Sequence, residues 1–134
     1  MMEIRQIRVL LIEDNPDDAF LVKEFCTQYP YAKFHITIAD RLSKAQIYLE
    51  REFFDAILLD LNLPDSHGSE TILRAHLHSY NVPIIVLTGN RDKHLIEGAT
   101  ERGVATYLIK GAAGKDLAQS IHEVVSQRWV AGEN

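Results

Sequence analysis

A small group of charged and hydroxyl residues stands at the ends of apolar segments in this sequence. The group comprises Glu13, Asp14, Asp60, Thr88 and Lys110. Carboxylates are ligands for hard cations, while an ammonium and a hydroxyl can both bind phosphate oxygens. If one fold gathers these residues, they provide a nucleophile, a cation site and two donors. Those groups are what in-line phosphoryl transfer to Asp60 requires.

The carboxylates of Glu13, Asp14 and Asp60 would repel one another at close range and shift each other's pKa values. A site built from them therefore needs positive charge. Lys110 supplies a point charge, and oxygen-only ligands favour an octahedral, partly hydrated Mg²⁺. The sequence thus predicts Mg²⁺ as the cofactor.

The elements that would position these residues alternate between strand-like and helix-like segments. Predicted strands cover residues 7–12, 34–38, 55–60, 83–87 and 105–109. Predicted helices start at the N-cap Asn15, at a capping Asp40, after the loop 63–68, at about 92 (stopping at Gly103), and at 117. Repeated strand–helix units indicate an α/β fold: a five-stranded parallel sheet with right-handed crossovers and helices on both faces.

The hydrophobic pattern also predicts the order of the strands. The second strand alternates apolar with polar residues, whereas the first, third and fourth are almost wholly apolar. The second strand therefore belongs at an edge, which fits the order 2-1-3-4-5. In that order strands 1 and 3 are neighbours, so Glu13, Asp14 and Asp60 should converge where ligands bind in such sheets.

Composition limits the remaining possibilities. A chain of 134 residues, 46% of them apolar and 25% charged, suits a single domain spanning 1–134. The chain after Tyr107 is long enough for one helix and little more, so we expect no output domain. The net charge of −5, without a basic run, predicts no direct nucleic-acid binding and no attraction to a membrane. The sequence has neither a signal-peptide pattern nor an apolar span, and its lone Cys26, read as a small core residue, fits a cytoplasmic location.

The ordered set of residues resembles the receiver domain of two-component response regulators, a CheY-like, flavodoxin-like fold. The resemblance covers about residues 7–127 and rests on Glu13, Asp14, Asp60, Thr88, Lys110, the loop 63–65 and Gly68. It implies that Asp60 is phosphorylated by a histidine kinase or phosphotransfer protein. It further implies that Glu13, Asp14, Asp60 and the backbone carbonyl of Asn62 bind Mg²⁺.

The same resemblance implies a switch that is not an enzyme, although it assists its own phosphorylation and dephosphorylation. Thr88 and Lys110 would bind the phosphoryl group, and Tyr107 would turn as Thr88 moves toward it. The surface of the fourth helix, fifth strand and fifth helix would then control binding of a downstream protein.

The sequence departs from the family pattern at two positions. Gly111 follows the lysine where proline is usual, which predicts a trans peptide bond there. Gly89 stands where alanine is common after the threonine. Receivers with Lys-Gly resemble ones often joined to kinases or cyclases, so the chain could be a fragment of a larger protein.

Three other functions are open to this fold. An Asp-nucleophile phosphatase would need a second Asp where Asn62 stands. A flavin-binding module would need a phosphate cradle after the first strand, where residues 13–18 are instead acidic. A degenerate receiver would act only as a protein-binding module.

Three other residues receive a structural interpretation. Asp17 and Asp18 lie in a first helical turn, where carboxylates interact favourably with the helix dipole. Trp129 at the end of the last helix is either a cap on the core or a contact residue.

Overall fold

The computed structural model describes residues 5–89, 103–110 and 116–130. Its main sheet contains β1 (Gln6–Ile12), β2 (Lys33–Ala39), β3 (Ala56–Asp60), β6 (Ile84–Thr88) and β7 (Val104–Ile109). These strands are all parallel and lie in the order β2-β1-β3-β6-β7. The predicted α/β class and the order of the five long strands are confirmed.

A short hairpin was not predicted. The segment read as a loop after Asp60 contains the two-residue strands β4 (Asn62–Leu63) and β5 (Ser66–His67), which pair antiparallel. Segments this short carry too little hydrophobic alternation to be recognised in a sequence.

Four helices lie in the described part of the chain: α1 (Pro16–Gln28), α2 (Leu42–Arg51), α3 (Gly68–Leu77) and α4 (Leu117–Val130). α4 is the fifth helix predicted from the sequence. The predicted helix over about 92–102 and the departure at Gly111 lie outside the described residues. None of the described helices is long and apolar enough to cross a bilayer.

The central strands β1, β3 and β6 are buried on both faces, which explains why they are apolar. In β1, Leu10 and Ile12 pack into the core under α2 and α3, whereas Val9 and Leu11 pack into the core under α1 and α4. The second core also holds Cys26, which is buried, and burial raises the pKa of its thiol to about 12. Cys26 is therefore the small core residue that was predicted, and its raised pKa leaves little reactive thiolate.

Trp129 packs partly buried against the core under α1 and α4. The Arg5 guanidinium carbon lies 3.7 Å from the centroid of its ring, a cation–π contact. Trp129 thus joins the end of α4 to the chain just before β1.

Of the two helix caps predicted from the sequence, one is confirmed and the other is wrong. Asn15 caps α1 as predicted, its side chain accepting hydrogen bonds from the backbone N–H of Asp17 and Asp18. The prediction that Asp40 caps α2 is wrong, because the N-cap position is Arg41. Asp40 lies one residue too early and instead pairs with Arg41 and Lys44 on the surface.

Candidate functional site

The carboxyl ends of β1 and β3 position the acidic residues. Ile12 of β1 pairs with Leu59 of β3, so the residues that follow, Glu13 and Asp60, lie side by side. Glu13 is also held by its backbone N–H, which donates to Ala39 O at the end of β2. Glu13 is 2% exposed and Asp60 is 5% exposed. The sheet register therefore buries two carboxylates next to each other.

Asp14 completes a cluster with these two residues. One carboxylate oxygen from each of Glu13, Asp14 and Asp60 lies within 4.8 Å of the others, with Asp14 exposed. The Oε1 atom of Glu13 is buried and accepts no hydrogen bond of acceptable geometry in the described structure. Three converging carboxylates form a donor set that suits a hard, oxygen-preferring cation.

Lys110 reaches the cluster from the end of β7. Its Nζ lies 2.9 Å from Glu13 Oε1, 2.9 Å from Asp18 Oδ2 and 3.5 Å from Asp60 Oδ1. Burial lowers the pKa of Lys110, but its contacts with the carboxylates of Glu13 and Asp18 and the charge of Asp60 outweigh this effect, so the pKa is raised. Lys110 therefore stays an ammonium at physiological pH.

The environment of Glu13 favours its protonated form. Burial is the largest cause, and a hydrogen bond with Asp60 adds to it, so the pKa of Glu13 is raised to about 7. Lys110 opposes this shift but does not cancel it. A cation beside Glu13 would favour the ionised form in the same way as any nearby positive charge.

Three further residues predicted for the site lie in β6, β4 and β7. Thr88 ends β6 and is buried at 1% exposure, and its backbone C=O accepts a hydrogen bond from the Lys110 N–H at 2.8 Å. Asn62 lies in β4 and donates its backbone N–H to Asp60 Oδ1 at 3.3 Å. Tyr107 lies in β7 two residues before the strand ends, and its side chain is 46% exposed.

Sequence reasoning missed one residue of this site. Asp18 was assigned to the dipole of α1, but its carboxylate accepts a hydrogen bond from Lys110 Nζ at 2.9 Å. The two residues are 92 positions apart. Their contact depends on how α1 packs relative to the end of β7, which no local spacing reveals.

The hairpin that follows Asp60 is tied to its surroundings. Gly68, at its end, has φ +60°, a left-handed conformation that glycine adopts at little cost. Its N–H donates to Leu61 O at 2.9 Å. The hydroxyl of Thr71 donates to Ser66 Oγ at 2.8 Å in a buried position. These bonds fix the chain immediately after Asp60.

Two regulatory proteins are similar to this chain in sequence. The swarming motility regulation protein RssB of Serratia marcescens is 29% identical over 133 residues, covering 94% of this chain and 59% of that protein. The nitrate/nitrite response regulator protein NarL of Escherichia coli K12 is 29% identical, covering 93% of this chain and 57% of that protein. The chain thus spans less than two thirds of the length of these relatives.

A solved structure has the same fold and a metal in its cleft. It is the receiver domain of the sensor histidine kinase PA1611 from Pseudomonas aeruginosa PAO1, described with a magnesium ion coordinated in the active-site cleft. It is 25% identical with a TM-score of 0.74, covering 90% of this chain and 98% of that one. Residues 9–122 match the response regulator receiver domain family. This chain belongs to that family.

Proposed function

We propose that this chain is a phosphoacceptor switch that takes a phosphoryl group onto Asp60 with the aid of Mg²⁺. The observation that carries the proposal is the convergence of Glu13, Asp14 and Asp60 with the Lys110 ammonium at the carboxyl edge of the sheet. The donor would be the phosphohistidine of a histidine kinase or phosphotransfer protein. Family membership supports this donor class.

The proposed reaction is a single displacement at phosphorus. A carboxylate oxygen of Asp60 forms the new P–O bond while the P–N bond of phosphohistidine breaks, and its electron pair remains on the imidazole nitrogen. Lys110 and Thr88 would donate hydrogen bonds to the phosphoryl oxygens, stabilising charge where it develops.

The chain's own oxygens would hold the metal. Glu13, Asp14 and Asp60 supply carboxylates, and Asn62 would add its backbone carbonyl. Bound Mg²⁺ would neutralise the carboxylates and the transferring phosphoryl group. Without that positive charge, an incoming phosphate would meet three acidic side chains.

The output of the switch would be a change in protein binding. Thr88 ends β6, and Tyr107 lies in the adjacent strand β7, two residues before that strand ends. Movement of Thr88 toward a phosphoryl group would free space that Tyr107 can fill, a shift between two packings. The changed surface would include β7 and α4 and would bind a downstream protein in the cytoplasm.

Acetyl phosphate with Mg²⁺ provides a direct test. Intact-mass spectra should show one added phosphoryl group that hydroxylamine removes, and Asp60→Asn should show none. Asp17→Asn is the matched control, because it makes the same chemical change on an exposed residue. Equal labelling of the Asp60→Asn variant and the wild type would overturn the assignment of Asp60.

A further inference from the structure

Asp18 makes the best-formed hydrogen bond to Lys110. Its Oδ2 lies 2.9 Å from Nζ with the angles of a hydrogen bond. Glu13 Oε1 is at the same distance but lacks hydrogen-bond angles. Asp60 Oδ1 is farther away, at 3.5 Å. Of these three carboxylates, Asp18 therefore has the geometry best suited to fix the position of the Lys110 ammonium.

The carboxylate of Asp18 lies outside the acidic cluster. The oxygens that converge belong to Glu13, Asp14 and Asp60, whereas Asp18 lies in the first turn of α1. Its side chain is 36% exposed. Its backbone N–H donates to Asn15 Oδ1 at 3.2 Å, so the N-cap holds the backbone from which the Asp18 side chain extends.

This difference matters once the cluster holds a cation. The oxygens of Glu13 and Asp60 are then engaged, and positive charge beside them opposes the nearby ammonium. The carboxylate of Asp18 lies outside the cluster and can still accept a hydrogen bond from Lys110. Without such a partner, a lysine loses contact easily, because its four-carbon stem is flexible and its ammonium is strongly hydrated.

The ammonium can hold Asp18 and still bind a phosphoryl group. Lysine has three N–H donors, and the hydrogen bond to Asp18 uses one of them. With Nζ 3.5 Å from Asp60 Oδ1, a phosphoryl oxygen added to that carboxylate would come within reach of another donor.

We propose that Asp18 is a positioning residue that holds the Lys110 ammonium beside Asp60 when the acidic cluster is occupied by Mg²⁺. The inference rests on the proposed function of Asp60. It assigns a role to a residue that is not a member of the carboxylate cluster and acts through Lys110.

The decisive comparison is between Asp18→Asn and Asp17→Asn, with labelling by acetyl phosphate at saturating Mg²⁺. Both variants remove one negative charge from the same helical turn, which by itself should favour an anionic donor. Asp18→Asn should nevertheless be slower than wild type by about two- to fivefold, the range expected for a partly exposed ion pair. Asp17→Asn should be as fast as wild type or faster. Equal rates in the two variants would overturn the inference.

Two further variants separate positioning from general damage. In a Lys110→Met background, Asp18→Asn should cause no further loss of rate, since its effect passes through Lys110. Asp18→Glu, which retains the carboxylate, should recover part of the rate. A full additional loss in the Lys110→Met background would contradict the inference.

Beryllofluoride binding gives a readout that does not depend on turnover. With Mg²⁺ present, NMR titration should show weaker beryllofluoride binding by Asp18→Asn than by Asp17→Asn, by a factor similar to the rate effect. If Asp60→Asn is labelled as well as wild type, the proposed function fails and this inference fails with it. If labelling requires Asp60 but Asp18→Asn and Asp17→Asn are labelled at equal rates, the inference about Asp18 fails and the proposed function stands.

Discussion

The carboxylate of Asp65 caps helix α2 from a hairpin 23 residues away in sequence. Its Oδ1 accepts a hydrogen bond from the Leu42 N–H at 2.9 Å, and Oδ2 accepts one from the Ser43 N–H at 3.0 Å. Arg74 Nη1 in α3 donates to the Asp65 carbonyl at 2.7 Å. The hairpin after Asp60 is thereby bonded to the helices on both sides of it.

Removing this cap should destabilise the protein. Asp65→Ala leaves the first N–H groups of α2 without their side-chain acceptor, and we expect a loss of about 1 kcal/mol in the free energy of unfolding. Asp65→Asn keeps one acceptor and should lose less. Urea unfolding measures both, with Glu24→Ala on the exposed face of α1 as the control. Equal stability of Asp65→Ala and Glu24→Ala would show that the cap contributes nothing.

The contribution of Asp65 should also depend on pH. Burial raises the pKa of Asp65, but the N–H groups of Leu42 and Ser43 outweigh it, so the pKa lies below its ordinary value. A lowered pKa in the folded state gives stability that is present above the unfolded pKa of roughly 3.9 and lost as pH falls through the folded value. The difference between wild type and Asp65→Ala should therefore be constant from pH 8 to 5 and shrink on further acidification.

The sheet and the acidic cluster could be predicted because their signals are local. Buried strands show as apolar runs, and the order of strands places Glu13 and Asp60 side by side without knowledge of any side chain. The roles of Asp18 and Asp65 could not be predicted, because each acts on a partner from another part of the chain. Asp40 shows the same limit. It lies close to the start of α2, but the first N–H groups of that helix donate to the distant Asp65 instead.

Exposure was also hard to predict from the helical pattern. The apolar residues Leu73 and Leu77 of α3 are both exposed, whereas the buried positions of this helix are Thr71, Ile72 and Ala75. Burial of Thr71 is tolerated because its hydroxyl donates a hydrogen bond to Ser66 Oγ in the hairpin. A buried threonine next to exposed leucines follows from tertiary contacts that a hydrophobicity pattern does not contain.

Glu13 should make the metal-free protein less stable at higher pH. Its folded pKa of about 7 exceeds the ordinary value of 4.5, so between these values the folded state retains a proton that the unfolded state releases. Stability should thus fall as pH rises from about 4.5 to 7 and level off above. Glu13→Gln should abolish this dependence and be more stable than wild type at pH 8 by on the order of 2 kcal/mol.

Urea unfolding in EDTA at several pH values measures this effect. Glu24→Gln, an exposed glutamate with the same substitution, should keep the wild-type pH dependence. A wild-type curve that is flat between pH 4.5 and 7 would contradict the raised pKa that burial gives Glu13.

Magnesium should stabilise the wild type in proportion to its occupancy. A ligand that binds the folded state alone adds RT ln(1 + [Mg²⁺]/Kd) to the free energy of unfolding. Asp14→Asn removes an exposed carboxylate of the cluster, so this gain should be much reduced, whereas Asp17→Asn should retain it. Thermal melts with EDTA and with excess Mg²⁺ test this, and an unchanged wild-type midpoint would argue against a metal site at these carboxylates.

Beryllofluoride with Mg²⁺ should bury the ring of Tyr107. The ring is 46% exposed in the present structure, and Thr88 is buried at the end of the adjacent strand β6. Movement of Thr88 toward an acyl-phosphate mimic on Asp60 would open the space that the ring can enter. Nitration by tetranitromethane followed by peptide mapping measures ring accessibility, and Tyr107 should become several-fold slower to react. Tyr80 is the internal control, because it is 64% exposed and follows α3 at the opposite end of the sheet.

Thr88→Ala separates this switch from simple occupation of the site. The variant lacks the hydroxyl that would bind the phosphoryl oxygen, so it should bind beryllofluoride without slowing nitration of Tyr107. If the Tyr107 ring responded only to free space, the smaller side chain of alanine should let the ring turn inward even without beryllofluoride. Protection of Tyr107 in Thr88→Ala equal to that in the wild type would therefore show that the Thr88 hydroxyl does not control the ring.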